Sequence, residues 1–575
     1  MHNHAVGGGM RGGRILFEFV RMLLRRGGTP QFVLPATLLG LSLLILLSSF
    51  VFPVLLWGLA VTLPLLALSA YDFHQSAHTL TRNYPLSARF RWFFEDLRPF
   101  LRSYIVESDL EGRPFDHDTR ALIYARAKNE VSVHPFGTEL DVYSEEYEWI
   151  GHSIAPSRNV AEDFRVEVGG PQCTQPYSAS ILNISAMSFG SLGANAIEAL
   201  NLGAKKGGFY HDTGEGAISP YHEKHGGDLV WELGTGYFGC RAKDGAFDPE
   251  AFRDNAQRDQ VKMIEIKLSQ GAKPGHGGML PAPKVTEEIS RTRGVERYTD
   301  CISPPGHSAF STPREMLEWV ARLRELSGGK PVGIKLCIGQ PHEVFAIMKA
   351  ILATGIHLDY VVVDGAEGGT GAAPLELSDH MGMPLREGLI VMRNALVGTG
   401  LKETTRLAAA GKVYSGASMA FNVSVGADWC NAARAFMFSL GCVQSMKCHT
   451  GECPTGITTQ DPWRQRGLVV GDKAQRVYQY HKATVEALRD IVVAVGRESP
   501  WELRPYDLRQ RLNAAEMRAI DRIYPFVEPS SILEDPEGSS YAEWWAAADP
   551  DTFRPVREIA AIRRRSRGPT RAERH

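Results

Sequence analysis

The chain has 575 residues, of which 44% are hydrophobic and 22% are charged, and its formal net charge at pH 7 is −2. This composition is typical of a globular protein, and it excludes a mostly disordered chain and a polytopic membrane protein. The near-neutral charge gives no indication of a nucleic-acid partner. Eight cysteines are also too few for a disulfide scaffold of this length.

A long uncharged segment near the N-terminus predicts a membrane anchor. No charged residue occurs between Gln31 and Tyr71, and the apolar stretch is about twice the roughly 20 residues that one transmembrane helix needs. Two spans with a turn at Pro53 therefore fit residues 31–71 better than one. A signal peptide would have a shorter apolar core, nearer the start.

The charges on either side of this segment predict its orientation. Arginines precede and follow it: Arg11, Arg14, Arg21, Arg25 and Arg26, then Arg82, Arg89, Arg91 and Arg98. By the positive-inside rule, residues 1–30 form a cytoplasmic segment and the region after the hairpin is also cytoplasmic. We therefore predict a protein of a bacterial-type inner membrane, with its catalytic domain in the cytoplasm.

Residues 72–175 mix short helical patterns with turn signals and predict a connecting subdomain. Within it, the segment 89–94 alternates cationic and aromatic side chains, and two interpretations stay open: anchors at the lipid interface, or packing against the catalytic domain. Beyond the catalytic region we expect a helical extension over residues 471–560. The arginine-rich residues 561–575 predict a disordered basic tail, solvated or in contact with anionic lipid.

Short apolar runs alternate with helical stretches over residues 176–470 and predict an α/β fold, a (β/α)₈ TIM barrel. The runs that predict strands are Ile181–Ser185, Met263–Leu268, Pro331–Leu336, Tyr360–Asp364 and Lys412–Ser415. Helical patterns cover Arg314–Leu326 and Pro341–Ala353. Because the strand runs are short and rich in β-branched residues, we expect them to be buried on both faces.

Glycine-rich stretches follow the predicted strands and indicate a phosphate-bearing cofactor. Gly368–Ala372 follows Tyr360–Asp364, Gly416 follows Ser415, and Gly426–Asp428 is expected to open the next helix. Backbone amides at helix starts bind phosphate, and barrels have such a site after their last strands. The chain contains neither a dinucleotide-binding glycine fingerprint in a βαβ context nor a P-loop.

Three cysteines close together predict a metal centre. Cys442, Cys448 and Cys453 are spaced C-x5-C-x4-C, with Pro454 after the last. Three thiolates without an obvious fourth suit a three-iron cluster, whereas structural zinc usually has four ligands in close pairs. Zinc with His449 as fourth ligand and three buried unligated cysteines are the alternatives.

Taken together, these passages resemble the FMN-binding, iron–sulfur synthase domain of glutamate synthase, in the shorter membrane-linked subgroup of that family. The matching segments keep the family's order: Ser185–Gly190, Asp212–Gly216, Gln270–Gly275, Ile302–Pro305, Gly368–Pro374, Gly426–Asp428 and the cysteine run through Thr459–Gln460. They cover about half of the chain, and the Gln270–Gly275 and cysteine motifs together are highly specific.

The resemblance implies a TIM barrel that binds FMN and a [3Fe–4S] cluster held by Cys442, Cys448 and Cys453. In that family, reduced FMN gives a hydride to the imine formed from 2-oxoglutarate and ammonia, which yields glutamate. Electrons come from an external donor: a ferredoxin, a flavoprotein subunit or a quinone-linked partner. The resemblance places flavin contacts in two loops, at Ala186, Met187 and Ser188 and at Gly368, Gly369 and Thr370.

The chemistry of single residues is compatible with these expectations. The phosphate candidates are Gly416, Gly426, Asn431 and Arg434, and Lys335 is the candidate cation beside the flavin pyrimidine. Lys273 is expected to bind a carboxylate of the substrate, and Glu215 to position ammonia or transfer a proton. The alternatives are an ion pair or a solvated side chain for either lysine, and a helix cap for Glu215.

The sequence departs from the family pattern at two places. The large glutamate synthases begin with a glutaminase domain, whereas here the predicted barrel follows the membrane and connecting segments, so we expect ammonia to arrive free or from a separate subunit. The acidic residue of the family's Gln-Gly-Ala-Lys-Pro-Gly-Glu motif is His276 in this chain. Two alternatives follow: a different amine or oxo acid, such as N-methylglutamate formation from methylamine, or a non-catalytic electron-transfer flavoprotein at the membrane.

Overall fold

The computed structural model describes residues 8–26, 28–29, 31–133 and 135–557. These residues form two compact units, one up to His117 and one from Asp118 onward. The boundary falls inside the predicted connecting subdomain of residues 72–175. The predicted basic tail of residues 561–575 lies outside the described residues.

The first unit is helical. Its helices are Gly8–Arg26, Val33–Ser48, Leu59–His74, Thr79–Asn83 and Ser87–Leu101, with a 3₁₀ segment at Pro53–Gly58 and a π-helical turn at Arg102–Val106. Phe19 and Leu23 of the first helix are buried in one cluster with Phe32 and Ala70. A Cβ atom on Gly58 would lie 2.9 Å from Cδ1 of Ile45, so glycine lets the second and third helices approach closely.

One described helical segment, Pro53–His74, is long and apolar enough to cross a membrane by length and composition. The preceding helix Val33–Ser48 is apolar but has only 16 residues. At 1.5 Å per residue it extends about 24 Å, less than the roughly 30 Å of a bilayer core. The helical backbone is interrupted between Ser48 and Pro53, where the sequence predicts a turn. The second membrane span stays a prediction.

Eight parallel strands of the second unit close into a barrel, which confirms the predicted fold class. In chain order the strands are β1 (Leu182–Ile184), β2 (His211–Asp212), β3 (Leu229–Leu233), β4 (Val261–Lys267), β5 (Val332–Leu336), β6 (Tyr360–Asp364), β7 (Arg406–Ala410) and β8 (Trp429–Ala432). Each strand pairs with the next one along the chain, and β8 pairs with β1 through Asn431 and Asn183.

Helices separate the strands and cover the barrel. Those after the successive strands are Ala194–Gly207, Pro220–Glu223, Pro249–Ala256, Pro313–Leu326, Pro341–Thr354, Leu385–Gly398, Gly416–Ser424 and Arg434–Ser439. Two further short helices, Glu287–Arg293 and Leu375–His380, lie in the longer connections. Helix Pro313–Leu326 begins after Thr312, whose side chain accepts a hydrogen bond from the Glu315 amide.

A helix of 26 residues, Val470–Val495, packs against the barrel helices. A Cβ atom on Gly203 would lie 2.5 Å from Val477, and one on Gly416 would lie 2.5 Å from the Leu488 amide nitrogen. The glycines at these two positions therefore allow close helix packing.

The extension after this helix is less helical than its composition suggests. This extension contains the strands Leu508–Arg511 and Met517–Ala519, which form an antiparallel sheet with Glu148–Ile150. The short helices Ser531–Glu534 and Ala542–Ala547 follow these strands, and Pro462–Gln465 precedes the long helix. Helix His117–Lys128 precedes the sheet in the chain. Two antiparallel pairs, Arg165–Val168 with Tyr177–Ser180 and Met279–Leu280 with Cys301–Ile302, complete the described strands.

Two predictions about local structure are wrong. Lys412–Ser415 was expected as a strand but lies in the loop after β7, because Gly411 and Lys412 have positive φ angles that end the extended backbone. Gly426–Asp428 was expected to open a helix but precedes β8. Gly426 therefore lies at the amino end of a barrel strand, opposite the end where barrels bind ligands.

Candidate functional site

The loops after β1 and β2 pack tightly together at the carboxyl end of the barrel. A Cβ atom on Gly214 would lie 2.6 Å from the Ser188 amide nitrogen, and one on Gly216 would lie 2.8 Å from the Phe189 carbonyl oxygen. Met187 is buried, while Ala186 and Ser188 are partly exposed. The first predicted flavin loop thus lies directly beside the Asp212–Gly216 motif.

Glu215 is surrounded by three cations from other parts of the barrel unit: Lys267, Lys273 and Arg293. Its Oε2 atom lies 3.3 Å from the Nζ atom of Lys267, at the end of β4. Burial alone would raise the pKa of Glu215, but Lys267, Arg293 and Lys273 together lower that pKa, so the carboxylate stays ionised. A Cβ atom on Gly278 would lie only 2.2 Å from Oε1 of Glu215, so this carboxylate is held closely by backbone.

Two of these cations are buried, and together they carry more positive charge than the single negative charge of Glu215 neutralises. Lys273 and Arg293 are 3% and 5% exposed. Burial lowers the pKa of Lys273, and the neighbouring Glu215 partly offsets this effect. Arg293 donates from Nη2 to the Phe189 carbonyl oxygen at 2.9 Å, which ties it to the first flavin loop. With Lys267, the group carries an excess of positive charge that suits an anionic ligand such as a dicarboxylate.

The Gln270–Gly275 motif joins this charge cluster to the loop after β6. Lys267 donates to Oε1 of Gln270 at 2.7 Å, and Nε2 of Gln270 contacts the Thr370 hydroxyl at 3.4 Å. The Gly271 amide donates to Asp364 at 2.8 Å. A Cβ atom on Gly271 would lie 1.7 Å from the Gly365 carbonyl oxygen, so only glycine fits there.

The glycine loop after β6 lies against Arg434. A Cβ atom on Gly369 would lie 2.8 Å from Nε of Arg434, and one on Gly368 would lie 2.8 Å from an Asp364 oxygen. Arg434 opens the helix after β8 and also donates to the Glu367 carbonyl oxygen. The structure therefore brings Gly368, Gly369, Thr370 and Arg434 together at the carboxyl end of the barrel.

The four phosphate candidates do not all lie at this end of the barrel. Gly416 begins the helix after β7, with Ser415 as its cap, and so lies on the same side as Arg434. Asn431 is buried, and its Oδ1 atom accepts hydrogen bonds from Tyr210 at 2.6 Å and Trp429 at 3.2 Å. Gly426 lies at the opposite end of the barrel. Because Gly426 lies at that end, its predicted role in phosphate binding is wrong. The side chain of Asn431 is already hydrogen-bonded within the barrel.

Lys335 lies inside the barrel among buried carboxylates. Its Nζ atom is 2.9 Å from Glu232 and 3.9 Å from Glu265, and carboxylate oxygens of Glu232, Glu265 and Asp212 all lie within 4.8 Å of one another. Burial and the neighbouring Glu232 raise the pKa of Asp212 to about 7. Burial and Asp212 likewise raise the pKa of Glu265. The ammonium of Lys335 thus forms ion pairs with carboxylates in the barrel interior. Lys335 on β5 lies opposite Lys267 on β4 in the strand register. Its contact with the flavin stays a prediction.

The three cysteines lie in one loop after the last barrel helix. In the described residues, their sulfur atoms do not all fall within 4.8 Å of one another, as ligands of a single metal ion would. This spacing does not favour a single zinc ion, and the cluster that the resemblance implies, in which each thiolate binds a separate iron, stays a prediction. Although burial opposes it, hydrogen bonds from Thr455 and the Thr458 backbone lower the pKa of Cys453 to about 7, which favours a thiolate. His449, the alternative zinc ligand, is exposed.

The cysteine loop is attached to the first flavin loop by several hydrogen bonds. Buried Lys284 donates to the carbonyl oxygens of Ser191 at 2.7 Å and Cys448 at 3.2 Å. Gln460 donates to the carbonyl oxygens of Gly190 and Leu192, both at 3.0 Å. A redox centre on the cysteines would therefore lie next to the loop that contains Met187 and Ser188.

Sequence reasoning missed four charged residues of this region: Lys267, Lys284, Arg293 and Glu232. Lys267 had a usable signal, because it is two positions from Glu265 on a strand and so lies on the same inward face. Arg293 and Lys284 come from short helical segments in the long connection between β4 and β5, where the local pattern is too short to predict orientation. His276, which replaces an acidic residue of the family motif, is exposed, and its Nδ1 atom lies 3.0 Å from the Gly277 carbonyl oxygen.

Comparison with known proteins gives a consistent result. The family model described as the conserved region in glutamate synthase matches residues 163–498. The "Glutamate synthase large subunit-like protein YerD" of Bacillus subtilis (strain 168) is 34% identical over 75% of this chain and 89% of that protein. The "Archaeal-type glutamate synthase [NADPH]" of Thermotoga maritima is 32% identical over 56% of this chain, and the match covers 60% of that protein.

Solved structures resemble the chain only distantly. A mutant flavocytochrome b2 with pyruvate bound has a TM-score of 0.38 and 14% identity, and covers 73% of this chain and 88% of its own. A mandelate oxidase with 3,3-difluoro-2-hydroxy-3-phenylpropionic acid has a TM-score of 0.37 and 12% identity, covering 67% of this chain and 89% of its own. The assignment of the barrel rests on the strand order described above.

Proposed function

Since this chain belongs to the glutamate synthase family and is an oxidoreductase, we propose that it reductively aminates 2-oxoglutarate with ammonia to give glutamate, using FMN and a [3Fe–4S] cluster. The observation that carries the proposal is the ionised Glu215 among Lys267, Lys273 and Arg293. An oxo dicarboxylate requires two cationic contacts, and an amine requires a nearby acceptor. The charge cluster offers both at the carboxyl end of the barrel.

Each residue of the cluster has a definite task in this proposal. Lys273 and Arg293 bind the substrate carboxylates, and their burial strengthens those contacts because water does not screen them. Glu215 accepts an N–H of the incoming ammonia and so places its nitrogen against the oxo carbon. Lys267 keeps Glu215 ionised and fixes Gln270 next to Thr370.

The cofactor would be held by residues from three loops. Ala186, Met187 and Ser188 would contact the flavin from one side, Gly368, Gly369 and Thr370 from another, and Arg434 with the start of the Gly416 helix would bind its phosphate. When bound, FMN supplies the two electrons that reduce the imine carbon. Cys442, Cys448 and Cys453 would hold the cluster, and an external donor, which is a ferredoxin, a flavoprotein subunit or a quinone-linked protein, would deliver the electrons.

We also propose that the first unit anchors the protein in a membrane. The segment Pro53–His74 would cross the bilayer, with Val33–Ser48 as the second, shorter helix of the hairpin. The arginines on both flanks support a cytoplasmic catalytic unit. Alkaline carbonate extraction of cell membranes tests this directly, since an integral protein stays in the pellet and a peripheral one is released.

The decisive experiment for the activity is anaerobic. The purified protein is reduced chemically and mixed with 2-oxoglutarate and ammonium while flavin absorbance and products are followed. Rapid reoxidation with one glutamate per flavin supports the proposal. A flavin that stays reduced although the iron cluster is intact contradicts it.

Two further mixtures separate the alternatives. Reoxidation with methylamine but not ammonium would assign N-methylglutamate formation, an alternative favoured by His276 at a position that is acidic in the family. Reoxidation by no amine and oxo acid pair, with normal electron uptake, would assign an electron-transfer flavoprotein. A Lys273→Met variant that binds flavin but loses the reaction would show that the measured turnover belongs to this site.

A further inference from the structure

An amphipathic helix follows the candidate membrane span in the first unit. Helix Ser87–Leu101 continues into the π-helical turn Arg102–Val106. Large apolar side chains recur along it at intervals of three or four residues, and so do charged ones. The apolar stripe consists of Phe90, Phe93, Phe94, Leu97, Phe100, Leu101 and Tyr104, and the charged stripe consists of Arg91, Glu95, Arg98 and Arg102.

Most of the apolar stripe is exposed. Leu97 is half-buried, and the other six side chains are between 38% and 65% exposed, so the described residues of the first unit leave most of this face uncovered. A surface helix in water ordinarily turns its apolar face to a core. An exposed aromatic surface of this extent indicates a site of contact with a membrane or with another molecule.

The start of this helix is fixed to the end of the candidate span. Asp72, in the last turn of helix Leu59–His74, is fully buried and accepts two hydrogen bonds from Nε and Nη2 of Arg89, of which the Nε bond to Oδ2 is 2.9 Å. The Leu86 amide donates to the same carboxylate at 3.1 Å. A bidentate pair of this kind is directional, so the stripe begins where the span ends.

The charges on the helix indicate that the apolar stripe contacts the membrane. Four arginines on residues 87–102 outnumber two acidic residues, and Arg91 and Arg102 form ion pairs with Glu95 and Glu107 that leave the arginine side chains more than half exposed. Helices that lie at the boundary of acyl chains and headgroups typically have Trp, Phe and Leu on the apolar face and Lys or Arg on the polar face. Cationic amphipathic helices lie in that plane and are attracted to anionic lipids.

We propose that residues 87–106 form an interfacial helix that lies in the headgroup region of the membrane, with the Phe90–Tyr104 stripe directed toward the acyl chains. The proposal rests on the membrane attachment proposed above and goes beyond it, because a span alone does not require a second membrane contact. It takes up the first of the two interpretations of the segment 89–94, that of anchors at the lipid interface. The Asp72 to Arg89 pair holds the helix at the height of the bilayer surface.

Photocrosslinking in the full-length protein tests the proposal. p-Benzoylphenylalanine is introduced in place of Phe94, of Arg98 on the charged stripe, or of Leu63 inside the candidate span, and the protein is reconstituted in vesicles of phosphatidylethanolamine and phosphatidylglycerol. We expect lipid adducts at position 94, detected by mass spectrometry, at least fivefold more abundant than at position 98. Position 63 serves as the positive control for the bilayer.

The outcomes separate this proposal from the one it rests on. Lipid adducts at position 63 but not at position 94 would overturn the interfacial helix while leaving the span intact, and protein adducts at position 94 would replace lipid by a protein partner. Adducts at neither position would contradict the membrane attachment itself. In an Asp72→Asn variant, we expect fewer adducts at position 94 and unchanged adducts at position 63, because only the tether is weakened.

Discussion

Glu215 shows how neighbours set the charge of a single buried residue. The ordinary pKa of a glutamate is 4.5, and burial alone would raise it. Lys267, Lys273 and Arg293 reverse the direction of the shift. Because the pKa of Glu215 in the folded protein is depressed, the carboxylate is ionised at neutral pH, and its charge is lost only when the pH falls below the ordinary value.

Replacing Glu215 by glutamine is expected to lower kcat/KM for the amine by about 10²-fold or more, since the amide does not balance the cations or accept the same N–H. Flavin and iron content should stay normal, because the side chain contacts neither predicted cofactor site. Steady-state kinetics with saturating 2-oxoglutarate measures the effect.

The matched control for this change is Glu403→Gln, which alters an exposed carboxylate at the amino end of β7. This variant should keep full activity. Equal activity of both variants would show that Glu215 has no part in the reaction.

Gly271 is a position where only one residue type fits. A methyl group there would lie 1.7 Å from the Gly365 carbonyl oxygen. We expect Gly271→Ala to displace the loop between Gln270 and Thr370, to lower the unfolding free energy by about 1–3 kcal/mol and to reduce flavin content. Gly371→Ala is the control, because no atom lies within 4 Å of the added methyl group. Similar flavin content in the two variants would contradict the expectation.

At single positions the sequence predicts residue type better than placement. The motif Gln270–Gly275 indicates Lys273 as a functional residue, and the structure places Lys273 close to Glu215, because strand-following loops converge at one end of a barrel. It does not reveal Arg293, which comes from a separate connection. Gly426 was misplaced because a glycine before a strand and one after it look alike in a single sequence.

Among the structural elements, the connection between the cysteine loop and the first flavin loop has the most direct consequence. Lys284 is buried and joins the Ser191 and Cys448 carbonyl oxygens. Lys284→Met would leave both acceptors without this donor, which costs about 1–3 kcal/mol for a buried group. We expect reduced iron content and a broadened electron paramagnetic resonance signal of the oxidised cluster.

Lys447→Met is the matched control for the Lys284 variant. Lys447 is adjacent to Cys448 in the chain, but its side chain is exposed, so loss of its charge should leave the iron content unchanged. Equal iron loss in both variants would assign the effect to charge near the cysteines in general and would contradict the role of the hydrogen bonds.

The strands that the sequence predicts are those with β-branched runs, such as Tyr360–Asp364, which the structure reproduces. The sequence does not predict β2, β3, β7 and β8, of which β8 reads Trp429-Cys430-Asn431-Ala432 and has no β-branched residue. Such strands are stabilised by their neighbours in the closed sheet, a tertiary effect that local pattern does not contain.

For the molecule as a whole, the carboxylates inside the barrel link stability to pH. The pKa of Asp212 is raised to about 7, from an ordinary 3.8. Between these values the unfolded chain releases this proton and the folded barrel retains it, so stability falls as pH rises through this range.

The Asp212→Asn variant lacks this proton. As pH rises from about 4 to 7, its unfolding free energy should therefore increase relative to that of the unchanged protein by up to roughly 1 kcal/mol per pH unit. The slope is the measured quantity, because a change in packing at this position adds a constant that does not depend on pH. Denaturant unfolding of the detergent-solubilised protein at several pH values gives the slope. A difference in stability that is independent of pH would contradict the raised pKa.

The pairing of β8 with β1 also dictates an order of events during synthesis. The barrel cannot close until Ala432 has left the ribosome, more than 240 residues after β1, and the three cysteines emerge later still. Long-range closure of this kind is slow and leaves unpaired strand edges exposed in the meantime. The proposed iron centre would consequently be assembled only after all barrel strands have been synthesised, so a cell that lacks iron should accumulate closed barrels without clusters, while a truncation before β8 should yield aggregates.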